Sequence, residues 1–178
     1  MKKLFWVIFI VMFISLSACS QGVDNMKTLS VSLDFQRFPR QYTCDGADIS
    51  PKIHVGNIPG GTKALAIIMD DPDAPVGTWV HWVAWNITPT STIPEAVPKT
   101  RNAVKDGISF TQGINDFHKI GYGGPCPPRG HGDHHYHIKI YALDSTLNLA
   151  GNVTKQMLEK AMKGHILAWG EAIAVYSR

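Results

Sequence analysis

Four side chains in this sequence have the chemistry to act on one ligand together: the imidazoles of His81 and His134, the phenol of Tyr136 and the carboxylate of Asp71. His134 and Tyr136 open a run to Leu143 in which apolar residues recur at every second position, the period of a strand. Alternation puts His134, Tyr136, Ile138, Ile140 and Ala142 on one face, and His135, His137, Lys139, Tyr141 and Leu143 on the other. The run is preceded by five Gly and three Pro between Gly121 and Gly132, which exclude helix and ladder pairing and predict a shaped loop. Successive N–H groups of such a loop can cradle an oxyanion. Two histidines and a tyrosine hydroxyl would add donors, with Asp71 orienting an imidazole. Histidine changes charge near neutral pH, so a pocket of this kind would respond to acidity. The plain alternative is a Gly/Pro connection followed by a strand with solvated histidines, with His81 a satisfied core residue.

Two other chemistries fit less well. His131, Asp133, His134, His135 and His137 crowd seven residues, as metal ligands can. Strand alternation separates His134 from His135 and His137, and no spacing matches helical or paired-cysteine zinc patterns, so no metal site is expected. Hydrolysis would need an activated nucleophile. No Gly-x-Ser-x-Gly elbow is present, so the reading is a binding module without catalysis and without a cofactor.

The elements that must position these groups are mostly strands. Leu29, Val31, Leu33 and Phe35 alternate with polar residues, predicting a half-buried strand over 29–36. Tyr42 to Pro51 is rich in turn formers and reads as loop. Lys52 to Ile58 predicts a strand closed by Pro59-Gly60-Gly61, and Ala64 to Met69 a central strand. That strand empties into Asp70-Asp71-Pro72-Asp73-Ala74-Pro75, where prolines would hold the carboxylates on a rigid turn. Trp79 to Ile87 follows as a strand, with His81 sharing its side with Trp79, Val83 and Trp85. Thr88 to Thr100 carries three prolines and reads as a long loop, Ala103 to Phe110 as one weak strand, and Ile114 to Ile120 has no period. Thr154 can cap a helix to about Lys163, with Leu158, Ala161, Met162 and His165 at helical spacing and Gly164 beyond its end. Ala172 to Tyr176 predicts a last strand. The sum is a β-rich sandwich with peripheral helix.

The chain has 178 residues, enough for one domain with a sizeable core. Its 17 Lys and Arg against 14 Asp and Glu call for no nucleic acid. Lys2-Lys3, an apolar run from Leu4 to Leu16 and then small residues read as a secretory leader over residues 1–18. The run is short of the roughly 20 residues that a spanning helix needs. Its ending, Leu16-Ser17-Ala18-Cys19, resembles the bacterial lipoprotein signal, which implies lipidation at Cys19 and an exported protein anchored to a membrane by acyl chains. Residues 19–28 would form a polar tether and 29–178 the domain. Cys44 and Cys126 remain, and in an exported protein an even pair in turn-rich segments is a disulfide candidate. Two buried thiols that merely pack are the alternative.

Asp71-Pro72-Asp73-Ala74-Pro75, then Trp79 and His81, then Gly124-x-x-Pro127-Pro128 ending in His134-x-Tyr136, resemble the signature blocks of the phosphatidylethanolamine-binding protein family. Tyr42-Thr-Cys-Asp-Gly and Gly-Pro-Cys-Pro-Pro resemble its bacterial, Raf-kinase-inhibitor-like branch, over Leu29 to Arg178. The resemblance implies a large antiparallel sheet packed on a smaller one with peripheral short helices. It also implies a pocket for small phosphate-like anions or phospholipid head groups, built from Asp71, His81, Gly124, Pro127, His134 and Tyr136. A second role that it implies is inhibition of a protease, less readily of a kinase, given export. His135 departs from the family pattern, where an Arg is usual, but by alternation it faces away from the pocket.

Overall fold

The computed structural model describes residues 27–178; the leader, Cys19 and most of the tether lie outside the described residues. Ten strands form two sheets: β1 Lys27–Thr28, β2 Ser30–Ser32, β3 Ile53–Gly56, β4 Ala64–Asp71, β5 Trp79–Ile87, β6 Thr92–Ile93, β7 Asn102–Lys105, β8 Ile108–Gln112, β9 His134–Leu143 and β10 Ile166–Tyr176. Among the described residues there is one α-helix, α1 Lys155–Met162, and a 3-10 turn at Arg40–Tyr42. The large sheet runs β1-β10-β9-β4-β5-β8-β7 and the small one β2-β3-β6. Pairing is antiparallel except at the β1 edge, where Lys27 and Thr28 run parallel to Ala168 and Trp169. The expected fold class is therefore observed.

β4 explains its own unbroken apolar run, because it is buried on both faces. Leu65, Ile67 and Met69 join Trp82, Ile138, Ile140, Ile53 and Val55 in the core cluster that also holds the residues of the small sheet. Ala66 and Ile68 join Val83, Trp85, Leu143, Leu158 and Met162 in a second cluster that includes the buried face of α1. The helix begins as its sequence predicts: Thr154 is extended, and its side chain accepts the Met157 N–H at 3.4 Å.

Several elements differ from the sequence expectation, each for a physical reason. Of the strand expected over 29–36 only β2 forms, because the chain leaves the large sheet at Leu29 (N–H to Trp169 O, 2.9 Å) and enters the small one. Close passage there requires Gly170, where a Cβ would sit 2.3 Å from Leu29 O. That glycine and Glu171 also concealed the start of β10, which begins at Ile166 rather than Ala172. β3 is shorter than the expected 52–58. The weak strand expected over Ala103–Phe110 is the hairpin β7–β8, turned by Asp106 (φ 50°) and Gly107 (φ 78°). Within the expected 88–100 loop, Thr92–Ile93 adds an edge strand to β3. Asp70 and Asp71 are not on a turn but form the last two residues of β4.

The largest correction concerns β5. Met69 pairs with Trp82 and Asp70 with Val80, leaving an extra residue on β5 between them. This bulge breaks simple alternation. Val80, Val83 and Trp85 go to the α1 cluster, whereas His81 turns to the Tyr136 side, where its ring centroid lies 5.1 Å from that of Tyr136. His81 therefore does not share a side with Val83 and Trp85.

Candidate functional site

The ends of the three central strands of the large sheet meet: the end of β4 with Asp71, the start of β5 with Trp79 and His81, and the start of β9 with His134. Between them and the Gly/Pro loop lies a pocket of about 160 Å³, lined by Asp71, His81, Trp79, Phe117, Pro127 and His134, among others. The Ala74-Pro75-Val76 turn forms its outer lip.

Asp71 and His134 are both buried, and His134 Nδ1 donates to Asp71 Oδ2 at 2.7 Å. Asp71 Oδ1 accepts the Asp73 N–H at 2.9 Å, which closes the Asp-Pro-Asp turn over the pocket. His81 is 2 % exposed and donates from Nδ1 to the Gly123 carbonyl at 2.7 Å. A carbonyl only accepts, so the Nδ1 proton is assigned and Nε2 is the nitrogen left for a ligand. Burial pushes the His81 imidazole below the ordinary histidine value, although the Gly123 carbonyl and the Asp71 charge oppose this. At neutral pH it is uncharged, and its Nε2 carries a lone pair. Neither imidazole sits at an exposed rim: both are buried, so their removal also removes core volume.

Tyr136 lies beneath the two histidines, fully buried, and its hydroxyl has no hydrogen-bond partner. The Cys126 backbone lies close to it without meeting hydrogen-bond geometry. Burial first, and the Asp71 charge second, raise its phenol far above the ordinary value. Tyr136 packs against both histidines but does not itself line the pocket, and its unpaired buried hydroxyl costs stability.

Not every expected contributor reaches the pocket. Gly124 donates its N–H to Asp48 Oδ1 at 2.6 Å, and Gly123 donates to His81 O at 2.8 Å, so neither amide is free to cradle an anion. Gly124 is there for close packing: a Cβ would sit 2.3 Å from Tyr42 O. It lines a second hollow on the other side of Phe117 and Cys126. Three of the crowded residues are drawn off to other partners. His135 pairs with Asp73 at 2.8 Å, His137 with Glu171 at 2.8 Å, and Asp133 with Arg37 at 2.7 Å. His135 and His137 thus face away from the pocket, as alternation predicts. Cys44 and Cys126 form a disulfide, which brings the 42–51 loop against the pocket wall.

Phe117 was not legible in the sequence. It packs edge-on against Trp79 (5.5 Å) and His81 (5.3 Å) from the segment that lacks any period. Asn115 organises that segment, accepting the Phe117 and Lys119 N–H groups at 3.1 Å each and donating to Gly121 O at 2.9 Å. An Asn in a turn rich in Gly and Asp is a recognisable signal for such side-chain-closed loops. Asp70, next to Asp71, points the opposite way and binds Lys139 (2.9 Å) and Lys155 (2.5 Å), tying α1 to the sheet.

A two-sheet sandwich with an Asp–His pair and a second histidine at the ends of its central strands is the class of architecture to which the sequence blocks pointed. Residues 29–177 match the phosphatidylethanolamine-binding protein family, and the chain belongs to it. A UPF0098 protein of Pyrococcus horikoshii is 47% identical over 181 residues, covering 100% of this chain and 91% of its own. One from Aquifex aeolicus is 45% identical over 89% of this chain and 92% of its own. Among solved structures, a phosphatidylethanolamine-binding protein homologue from Chlamydia trachomatis is 34% identical with a TM-score of 0.73, covering 85% of this chain and 98% of its own. YbcL of E. coli, described as a new member of the mammalian family, is 27% identical with a TM-score of 0.75 over 85% and 99%.

Proposed function

We propose that this protein is a membrane-tethered binding module whose pocket takes a small phosphate-like oxyanion, free or as a lipid head group. The observation that carries this reading is the pairing of a committed His81 Nδ1 with an uncommitted Nε2 at a pocket that Asp71 and His134 also line. The volume of about 160 Å³ suits a head group and is well below that of sites that enclose drug-sized ligands. Acyl chains would stay outside. Binding rather than catalysis is supported by the pocket wall, which contains no Ser or Thr, and whose cysteine is locked in the disulfide. The tether reading rests on Leu16-Ser17-Ala18-Cys19, with the lipid on Cys19 holding the exported chain to a bacterial membrane.

Because His81 is neutral, it must gain a proton before Nε2 can donate to an anion. The liganded imidazole then has a higher pKa than the free one, so affinity falls as pH rises through the histidine range. The test is calorimetric titration of the full-length protein with inorganic phosphate and with glycerophosphoethanolamine. His81→Asn keeps a donor for the Gly123 carbonyl but removes the pocket nitrogen, and should weaken binding about 10- to 100-fold. Binding of only one of the two ligands tells free phosphate from a head group. No heat with either ligand in the wild type would end the proposal.

A further inference from the structure

The Asp71–His134 pair has a third member. His134 Nδ1 is held by Asp71, and its other nitrogen, Nε2, lies 2.8 Å from His131 Nδ1 with ring centroids 5.0 Å apart. Without a ligand, therefore, the His134 nitrogen on which an oxyanion would depend is already bonded. His131 itself is exposed and does not line the pocket, whereas His134 is 1 % exposed.

We infer that His131 is an internal competitor for the ligand: a surface imidazole that occupies His134 Nε2 and must rotate away before that nitrogen can donate to a bound oxyanion. This rests on the pocket being an oxyanion site. The surrounding structure allows the motion without moving the loop. The backbone is anchored by Gly130 N–H to Arg178 O (2.9 Å) and His131 N–H to Pro128 O (3.2 Å), and Asp133 is tied to Arg37. The flanking Gly130 (φ 76°) and Gly132 (φ 87°) have open space where a Cβ would stand. The imidazole thus has room to swing about its own side-chain torsions, while its neighbours on either side add no bulk.

An apparent affinity is lowered by the fraction of molecules in which the binding-competent state is absent. A hydrogen bond between an exposed and a buried imidazole is of ordinary net strength, so closing it should suppress affinity about 3- to 10-fold. His131 would also set selectivity. A ligand that reaches both His81 and His134 displaces it, and one that uses His81 alone leaves it in place.

The experiment compares wild type, His131→Ala and the outward-facing control His135→Ala by calorimetry with inorganic phosphate and with glycerophosphoethanolamine. Nitrogen NMR of His134 is recorded on the ligand-free proteins. The expected result is a gain of about 3- to 10-fold in affinity for His131→Ala, with a shifted His134 Nε2 resonance before ligand is added, and no change for His135→Ala. Loss of the fold would lower affinity, so a gain cannot come from general damage. Unchanged affinity would overturn the inference. Weaker binding by the variant would overturn it too, showing that His131 is a ligand contact. Absence of binding by wild type and variant alike would remove the oxyanion reading, and this inference with it, a failure distinct from binding that His131 does not affect.

Discussion

Reducing the Cys44–Cys126 disulfide should destabilise the protein chiefly through its unfolded state. The bridge joins residues 82 apart in sequence, and the chain-entropy relation for a loop of that size gives about 4.5 kcal/mol. Whether this is realised depends on what the folded protein does without the sulfurs. Three hydrogen bonds hold the same junction independently: Cys44 N–H to Pro125 O (3.1 Å), Gly124 N–H to Asp48 Oδ1 (2.6 Å) and Tyr122 Oη to Tyr42 O (2.6 Å). The native loops should therefore stay together after reduction, and the lost constraint should appear as a more expanded unfolded chain. We expect a loss of about 3 to 4.5 kcal/mol, the lower figure allowing for residual compactness of the reduced chain. The assay is urea unfolding of oxidised and reduced protein, with Cys44→Ala/Cys126→Ala as a reagent-free control. The reduced form should show a lower midpoint and a steeper dependence on urea, because more surface is exposed on unfolding. A loss below about 1 kcal/mol would refute the entropic account. So would collapse of the native spectrum on reduction before urea is added, which would mean that the hydrogen bonds do not hold the junction.

Three further outcomes are expected. Tyr136→Phe removes a buried hydroxyl that has no partner, so it should leave stability unchanged or raise it by about 1 kcal/mol; thermal melts measure it. Asp70→Asn strips two lysines of their shared carboxylate and should cost about 2 kcal/mol, below the full cost of breaking a buried pair because both ammonium groups are partly exposed; urea unfolding checks it. Cys19→Ala should yield an unprocessed or soluble chain in cell fractionation, and a mature-length variant still in the membrane fraction would contradict lipidation at that residue.

The strand β9 and the helix α1 could be read directly from the chain, because both depend on local rules. Alternation from His134 separates buried from outward side chains in a strand without bulges, and Thr154 caps a helix wherever that helix later packs. The β-rich class, the opposite facing of His134 and His135, and the pairing of the two cysteines followed from the same local evidence and from cysteine number. What the tertiary structure decided were the relations between segments distant in sequence. The bulge opposite Asp70 depends on how β5 registers against β4, and it alone turns His81 toward Tyr136. Phe117 reaches the pocket because Asn115 closes its turn on backbone groups of a neighbouring segment. Asp70 and Asp71 are adjacent and chemically identical, yet one goes to two lysines and the other to a histidine, since successive strand residues face opposite sides of a sheet that only folding completes. His131 gave no sign of its bond to His134 in its spacing, because the loop folds back at Gly130 and Gly132 on either side of His131, and no periodicity encodes their positive φ values.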